Sequence, residues 1–258
     1  MGYISVHLGL RDACLGGTMG ISVTGRAVSV NDTHEEGVDT SVVGNPTSKI
    51  FQGIELHHLF SRSGKTGRKD DGNPLIHAMK GRDGFTITPF WKAQLMKRAD
   101  LILGKVKTNF AGFTHCMPIP SSSPFCSDVA NLVAQRLGLP ILEPNFFRKK
   151  TVQEMLSGLE AHPPKVRKGQ KTAYNGQLNT WQSLPGATVC EAKHVDTSVR
   201  LLFNFFLLLP DAPRLDGQRI VIVDDILSSG SSVLSVRDIA SNQLGAEVAY
   251  VSFLSGMR

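Results

Sequence analysis

Ile220, Val221, Ile222 and Val223 form an unbroken run of β-branched aliphatic residues, the pattern of a strand covered on both faces in a parallel sheet. Shorter apolar stretches predict further strands at His115–Ile119, Leu139–Leu142 and Ala246–Phe253. Between them the apolar positions recur at helical spacing. Trp91, Leu95, Ala99 and Ile102 make one stripe of a helix over Pro89–Lys105. Phe125, Val129, Leu132, Val133 and Leu137 make another that closes at Gly138, with Ser123 as N-cap and Pro124 at the first helical position. Two more helices are predicted at Val152–Leu159 and along Val233, Val236, Ile239, Ala240 and Leu244. The first 50 residues or so instead alternate in short stretches, such as Ile21-Ser-Val-Thr-Gly and Ala27-Val-Ser-Val, and read as a β-rich appendage. The expected fold is α/β, with a mostly parallel central sheet and helices on both faces. It divides into an amino-terminal hood over residues 1–80 and a core over 81–258, the core carrying a long insert at about 143–195.

A chain of 258 residues with 41% hydrophobic and 19% charged content can bury a sizeable core. Its longest apolar run, Leu201–Pro210 around Asn204, is about half of what a membrane span needs, and the amino terminus lacks the basic and apolar regions of a secretion signal. A cytoplasmic location with no membrane partner is therefore expected. Cys14, Cys116, Cys126 and Cys190 are scattered with no Cys-x-x-Cys pair, which argues against a zinc site or a disulfide framework. His57 and His58 are adjacent and read as an ordinary loop or strand pair.

Charge changes the picture more. The net charge is +6, and the positive residues concentrate at Arg62–Lys69, at Lys80 with Arg82, and along Arg148–Lys171. A polyanionic small molecule calls for local basic groups, and nucleic acid for a broad basic surface. Residues 61–74 read as an exposed basic loop. Gly64-Lys65-Thr66 within it is no phosphate-binding P-loop, because no strand precedes it and the upstream glycine is missing.

The chemistry concentrates where the central strand ends. Asp224 and Asp225 follow Val223 directly, at the carboxyl end where open α/β sheets bind ligands. Two like charges there are costly unless hydroxyls, a cation or water satisfy them. Ser228, Ser229, Gly230, Ser231 and Ser232 come next and feed a helix. Such a loop presents backbone N–H groups and short hydroxyls to an anion. Carboxylates for sugar hydroxyls beside a phosphate cradle describe a site for a ribose 5-phosphate. A second strand–loop–helix of the same make runs through Pro120-Ser-Ser-Ser-Pro124, where a plain helix cap is the competing reading. From Glu143 to about His194 the chain carries Arg148, Lys149 and Lys150, then Lys165, Arg167, Lys168 and Lys171 without a clear core pattern; an insertion of this kind is more often functional than passive.

Residues 219–232 resemble the phosphoribosyl pyrophosphate (PRPP) motif of type I phosphoribosyltransferases: apolar residues, two acids, two apolar residues, two small hydroxyl residues, glycine, any residue, a hydroxyl residue. The resemblance implies that Asp224 and Asp225 contact the ribose hydroxyls directly or through Mg²⁺, the expected cofactor, and serve as the catalytic and metal-binding pair. It implies that Ser228, Ser229, Gly230, Ser231 and Ser232 hold the 5-phosphate, that Ser121, Ser122 and Ser123 with Lys80 bind pyrophosphate, and that Arg148, Lys149 and Lys150 belong to a flexible lid. The implied activity is transfer of a phosphoribosyl group from PRPP to a nitrogenous base, or its removal from a nucleotide. Over residues 75–253 the likeness is greatest to ComF-type phosphoribosyltransferase-like proteins, through Ala78-Met-Lys-Gly81, Pro118-Ile-Pro-Ser-Ser and Arg148-x-x-Thr151-x-Gln153, although their four-cysteine zinc module is absent. The rival reading is an effector or regulator that keeps the PRPP fold and binds nucleic acid or a protein through segments 61–74 and 148–171, for example in a bacterial antiviral defence module. Self-association is left open.

Overall fold

The computed structural model describes residues 19–33, 37–62, 73–121 and 123–255. In chain order the first half contains β1 (Gly20–Thr24), β2 (Ala27–Asn31), β3 (Val38–Asp39), β4 (Thr47–Phe51), β5 (Ile54–Arg62), α1 (Pro74–Lys80), β6 (Thr86–Ile87), α2 (Pro89–Val106), β7 (His115–Pro118) and α3 (Pro124–Leu137). The second half contains β8 (Phe147–Lys149), α4 (Val152–Ala161), α5 (Lys171–Gln182), β9 (Phe206–Leu208), β10 (Arg219–Leu227), α6 (Ser231–Asp238) and β11 (Glu247–Ser255).

The main sheet is mixed and has six strands, in the order β3-β5-β11-β10-β7 with β4 also on β5. Strands β7, β10, β11 and β5 run parallel, whereas β3 and β4 are antiparallel to β5. β1, β2 and β6 form a separate small sheet, and β8 pairs with β9. The run Ile220–Val223 is wholly buried at the centre; at ~1.5–3 kcal/mol per buried aliphatic side chain, that burial holds β10 between β7 and β11. Val221, Val223, Val251 and Phe253 pack on one face against α2 and α3 through Leu95, Ile102, Val129 and Val133. Ile220, Ile222 and Tyr250 face the other way, onto α6 and the insert.

Three sequence expectations are corrected. Leu139–Leu142 is not a strand but a single bridge from Ile141 to Cys116; Pro140 in its middle has no N–H to give a ladder. The insert, read as lacking a clear core pattern, has one: α4, at the helix expected over Val152–Leu159, and α5 enclose Met155, Trp181, Phe203 and Phe205 in a core continuous with the sheet, and Tyr174 stacks on Phe203. Its apolar residues are spread over several short elements, so no single periodic window displays them. Strand β10 runs on through both aspartates to Leu227, paired with β11 as far as Ser255. The amino-terminal part shares the main sheet through β5, where His57 and His58 lie buried. Most of the basic loop at 61–74, namely residues 63–72, lies outside the described residues. Among the described residues no helix is long and apolar enough to cross a membrane.

Candidate functional site

Successive residues of a strand point to opposite faces, so the two aspartates meet different neighbours. Asp225, 2% exposed, lies on the α1 side, and its Oδ2 is 2.7 Å from Lys80 Nζ, off the line of a directed hydrogen bond. Lys80 is the last residue of α1, a helix capped at its start by Asn73, whose Oδ1 accepts from Leu75 N–H, and ended by Gly81 in the left-handed region at φ 61°. Buried Leu75, Ile76, Ala78 and Met79 anchor that helix, so the ammonium is delivered from a fixed point. Asp224, half-buried, turns to the insert side. Its Oδ2 accepts from Tyr250 Oη at 3.1 Å and its Oδ1 from the Asp225 N–H at 2.8 Å. Burial, then the charge of Asp225, raises the Asp224 carboxyl above the usual carboxylate range, with Lys80 opposing. Burial, then Asp224, also raises the Tyr250 phenol.

The serine-rich loop begins one residue beyond β10. Gly230 sits at φ 81°, ψ 1° as the N-cap of α6, which has no side-chain cap; glycine reaches this conformation without the strain of a Cβ. Ser229 Oγ lies 3.1 Å from Ser231 Oγ. A recess of about 20 Å³ is lined by Asp224, Ser228, Gly230, Ser231 and Ser232, a polar hollow of roughly one-water size at a helix amino end.

A larger cleft of about 240 Å³ joins these parts. Asp224, Asp225, Ser228 and Ser232 line it together with Lys80 and Ser121. Ser123 is instead used as the N-cap of α3, its Oγ accepting from Phe125 N–H at 3.4 Å, and Ser122 lies outside the described residues. Of the three basic residues assigned to a lid, Lys149 lines the cleft and lies 3.4 Å from Glu191. Arg148 makes a two-pronged pair with Glu154 at 2.7 and 2.5 Å; Glu154 also closes the capping box of α4 with Thr151, and the guanidinium draws its carboxyl down to about 2. Burial lowers the Lys150 ammonium.

Sequence reasoning missed part of the lining. Arg82, Glu191, Lys193 and Arg200 reach the cleft, as do Phe205 and Phe206. The lining thus holds five cations against three carboxylates, a balance suited to an anion. Among the described residues no three His, Cys, Asp or Glu side chains gather into a metal cage. Two carboxylates at one cleft fit the way Mg²⁺ is commonly held, by one or two acids plus the phosphates of a ligand.

No protein-family model matches the chain, and no curated protein matches it. Solved structures of adenine phosphoribosyltransferases are similar at low scores. The Saccharomyces cerevisiae enzyme, complexed with an imino-altritol bisphosphate and adenine, is 16% identical over 65% of this chain and 70% of its own, with a TM-score of 0.34. The Leishmania tarentolae enzyme is 10% identical over 92% and 94%, with a TM-score of 0.36. The Trypanosoma brucei enzyme, in complex with AMP, pyrophosphate and ribose-5-phosphate, is 10% identical over 63% and 65%, with a TM-score of 0.33.

Proposed function

We propose that the chain is a phosphoribosyltransferase-like protein that binds PRPP with Mg²⁺ and transfers the phosphoribosyl group to a nitrogen acceptor, or runs the reverse reaction on a nucleotide. The observation that carries this reading is the placement of the Asp224–Asp225 pair and the uncapped serine-rich start of α6 in one cleft with Lys80. The resemblance of residues 219–232 to the PRPP motif supports it, as do the further likenesses to ComF-type proteins.

In this reading Ser228–Ser232 hold the 5-phosphate, and Asp224 and Asp225 orient the ribose hydroxyls. Ser121 and Lys80 face the pyrophosphate. The bond from C1 to the pyrophosphate oxygen breaks and its electron pair leaves with pyrophosphate; a bond from C1 to the acceptor nitrogen forms, and that nitrogen gives up a proton. Positive charge develops on the ribose in between, so carboxylates beside it act through position and field. Mg²⁺, held by the aspartates with the ligand's oxygens, would neutralise charge on the leaving group. The acceptor is selected at the cleft, where Lys80 of the amino-terminal 80 residues and Lys149, Glu191 and Lys193 of the insert stand. Incubation with Mg²⁺, PRPP and a panel of nucleobases, followed by ³¹P NMR, should show pyrophosphate appearing with one base and not in Asp225→Asn. Consumption of PRPP at the same rate by that variant would overturn the reading.

A second reading has its own observation. Lys165, Arg167, Lys168 and Lys171 are all exposed and none lines the cleft, which suits a surface contact with the phosphates of a nucleic acid.

A further inference from the structure

Tyr250 is fully buried in the middle of β11. The parallel ladders set it between Ile222 of β10 and Leu56 of β5, both fully buried and part of the same apolar core. A phenylalanine would fill this place, and the phenol adds a polar atom whose burial costs free energy unless it is hydrogen-bonded. Its hydroxyl donates to Asp224 Oδ2 at 3.1 Å. Asp224 lies two residues beyond Ile222 and therefore on the same face of the sheet, a diagonal step to the next strand that the phenol spans. Ser252, the residue directly opposite Asp224, is turned elsewhere. Its Oγ lies 2.7 Å from His58 Nδ1 and donates to the Leu254 carbonyl at 3.2 Å.

The two aspartates are thus held in different ways. Asp225 faces the Lys80 ammonium, whereas Asp224 has a neutral donor on each oxygen, the Asp225 N–H on Oδ1 and the Tyr250 phenol on Oδ2. Donors on both oxygens fix the plane of a carboxylate, and each oxygen keeps a further lone pair for a ligand. Asp224 lines the main cleft and also the recess at the serine-rich loop, so the fixed carboxylate stands where a sugar and its phosphate would meet. Hydroxyl groups bind a carboxylate directionally, and one already held in place loses less freedom when they arrive.

Resting on the proposed PRPP site, we infer that Tyr250 is a positioning residue, whose hydroxyl sets from the neighbouring strand the orientation in which Asp224 meets the hydroxyls of a ribose 5-phosphate. Tyr250 lines neither the cleft nor the recess, so it acts through Asp224 and not on the ligand. The serine-rich loop holds the phosphate without its help. The phenol therefore bears on the part of the affinity that the sugar contributes.

The test titrates wild type and Tyr250→Phe with ribose 5-phosphate and with inorganic phosphate in a calorimeter, both in Mg²⁺, with folding checked by circular dichroism. The substitution keeps the ring and its packing. Loss of a hydrogen bond to a charged group should weaken ribose 5-phosphate about five- to tenfold and leave inorganic phosphate within about twofold. A purely structural role would weaken both ligands alike, and an unchanged ratio of the two affinities overturns the inference. Should Tyr250→Phe unfold, the phenol Cζ signal of ¹³C-tyrosine-labelled protein reports instead. The chain has three tyrosines, so Tyr3→Phe with Tyr174→Phe leaves the signal of Tyr250 alone. It should move with ribose 5-phosphate and stay in place with inorganic phosphate. Equal ribose 5-phosphate affinity in folded Tyr250→Phe, or a Tyr250 signal that is motionless or moves equally with both ligands, would overturn the role of Tyr250 and leave the PRPP site standing. Failure of wild type to bind either PRPP or ribose 5-phosphate would instead remove the site on which the inference rests.

Discussion

Replacing Lys80 by Met keeps the aliphatic stem and removes the charge that faces Asp225. The pair is 2.7 Å apart, with 12% of Lys80 and 2% of Asp225 exposed. At an effective dielectric of 20 its gross attraction is about 6 kcal/mol, offset in large part by the desolvation of both ions. What survives on breaking such a pair is the cost of stranding the remaining charge, about 3–5 kcal/mol. Lys80 is the more exposed partner and water can reach the cleft, so the lower end, about 3 kcal/mol, is expected for Lys80→Met. Asp225→Asn strands the ammonium in its turn, and Lys80→Met with Asp225→Asn strands nothing. The double variant should therefore be more stable than the sum of the single losses predicts, by at least about 2 kcal/mol. Urea unfolding of the four proteins gives this coupling directly. A coupling below about 0.5 kcal/mol would refute the placement of Lys80 on Asp225.

His58 gives a pH prediction. Burial first, and then the charges of Lys49 and His57, lower its imidazole from 6.5 to about 4. Below pH 6.5 the unfolded chain takes up a proton that the folded chain refuses until about pH 4, so stability is full above 6.5 and falls across that window, by at most about 3 kcal/mol; in His58→Gln the same stretch of the acid limb should be flatter, and an unchanged limb would contradict it. Gly230→Val should cost stability by about 1–2 kcal/mol, because a β-branched residue is strained at φ 81°, and should weaken PRPP far more than Ser231→Ala does; equal PRPP affinity in the two variants would remove the cradle. Lys149→Gln should weaken PRPP, whereas joint neutralisation of Lys165, Arg167, Lys168 and Lys171 should leave it unchanged; if that surface binds nucleic acid, the same change flattens the salt dependence of binding by a slope of about 3, read by filter binding at several salt concentrations.

What the sequence showed, and what it hid, follows the range of the contacts. Ile220–Val223 and the residues after it were legible because strand, carboxylates, serine loop and helix lie within one short window. The helices Pro89–Val106 and Pro124–Leu137 were legible because proline starts and apolar stripes are local signals. β5 was not read as a core strand: Ile54–Arg62 contains two histidines that become buried only when β11, far along the chain, lies beside them. Lys80 and Asp225 meet across 145 positions, and nothing near either residue announces the other. Arg200 was missed for a similar reason, since an arginine before an apolar run reads as surface until the turn at Val195 folds its guanidinium inward.

The most direct test of the account is calorimetric titration of PRPP in Mg²⁺ into wild type and into the variant carrying both Asp224→Asn and Asp225→Asn, each confirmed folded by circular dichroism. The account predicts one PRPP site per chain in wild type, dependent on Mg²⁺, and loss of that binding in the folded variant. Equal PRPP affinity in the two proteins would contradict it.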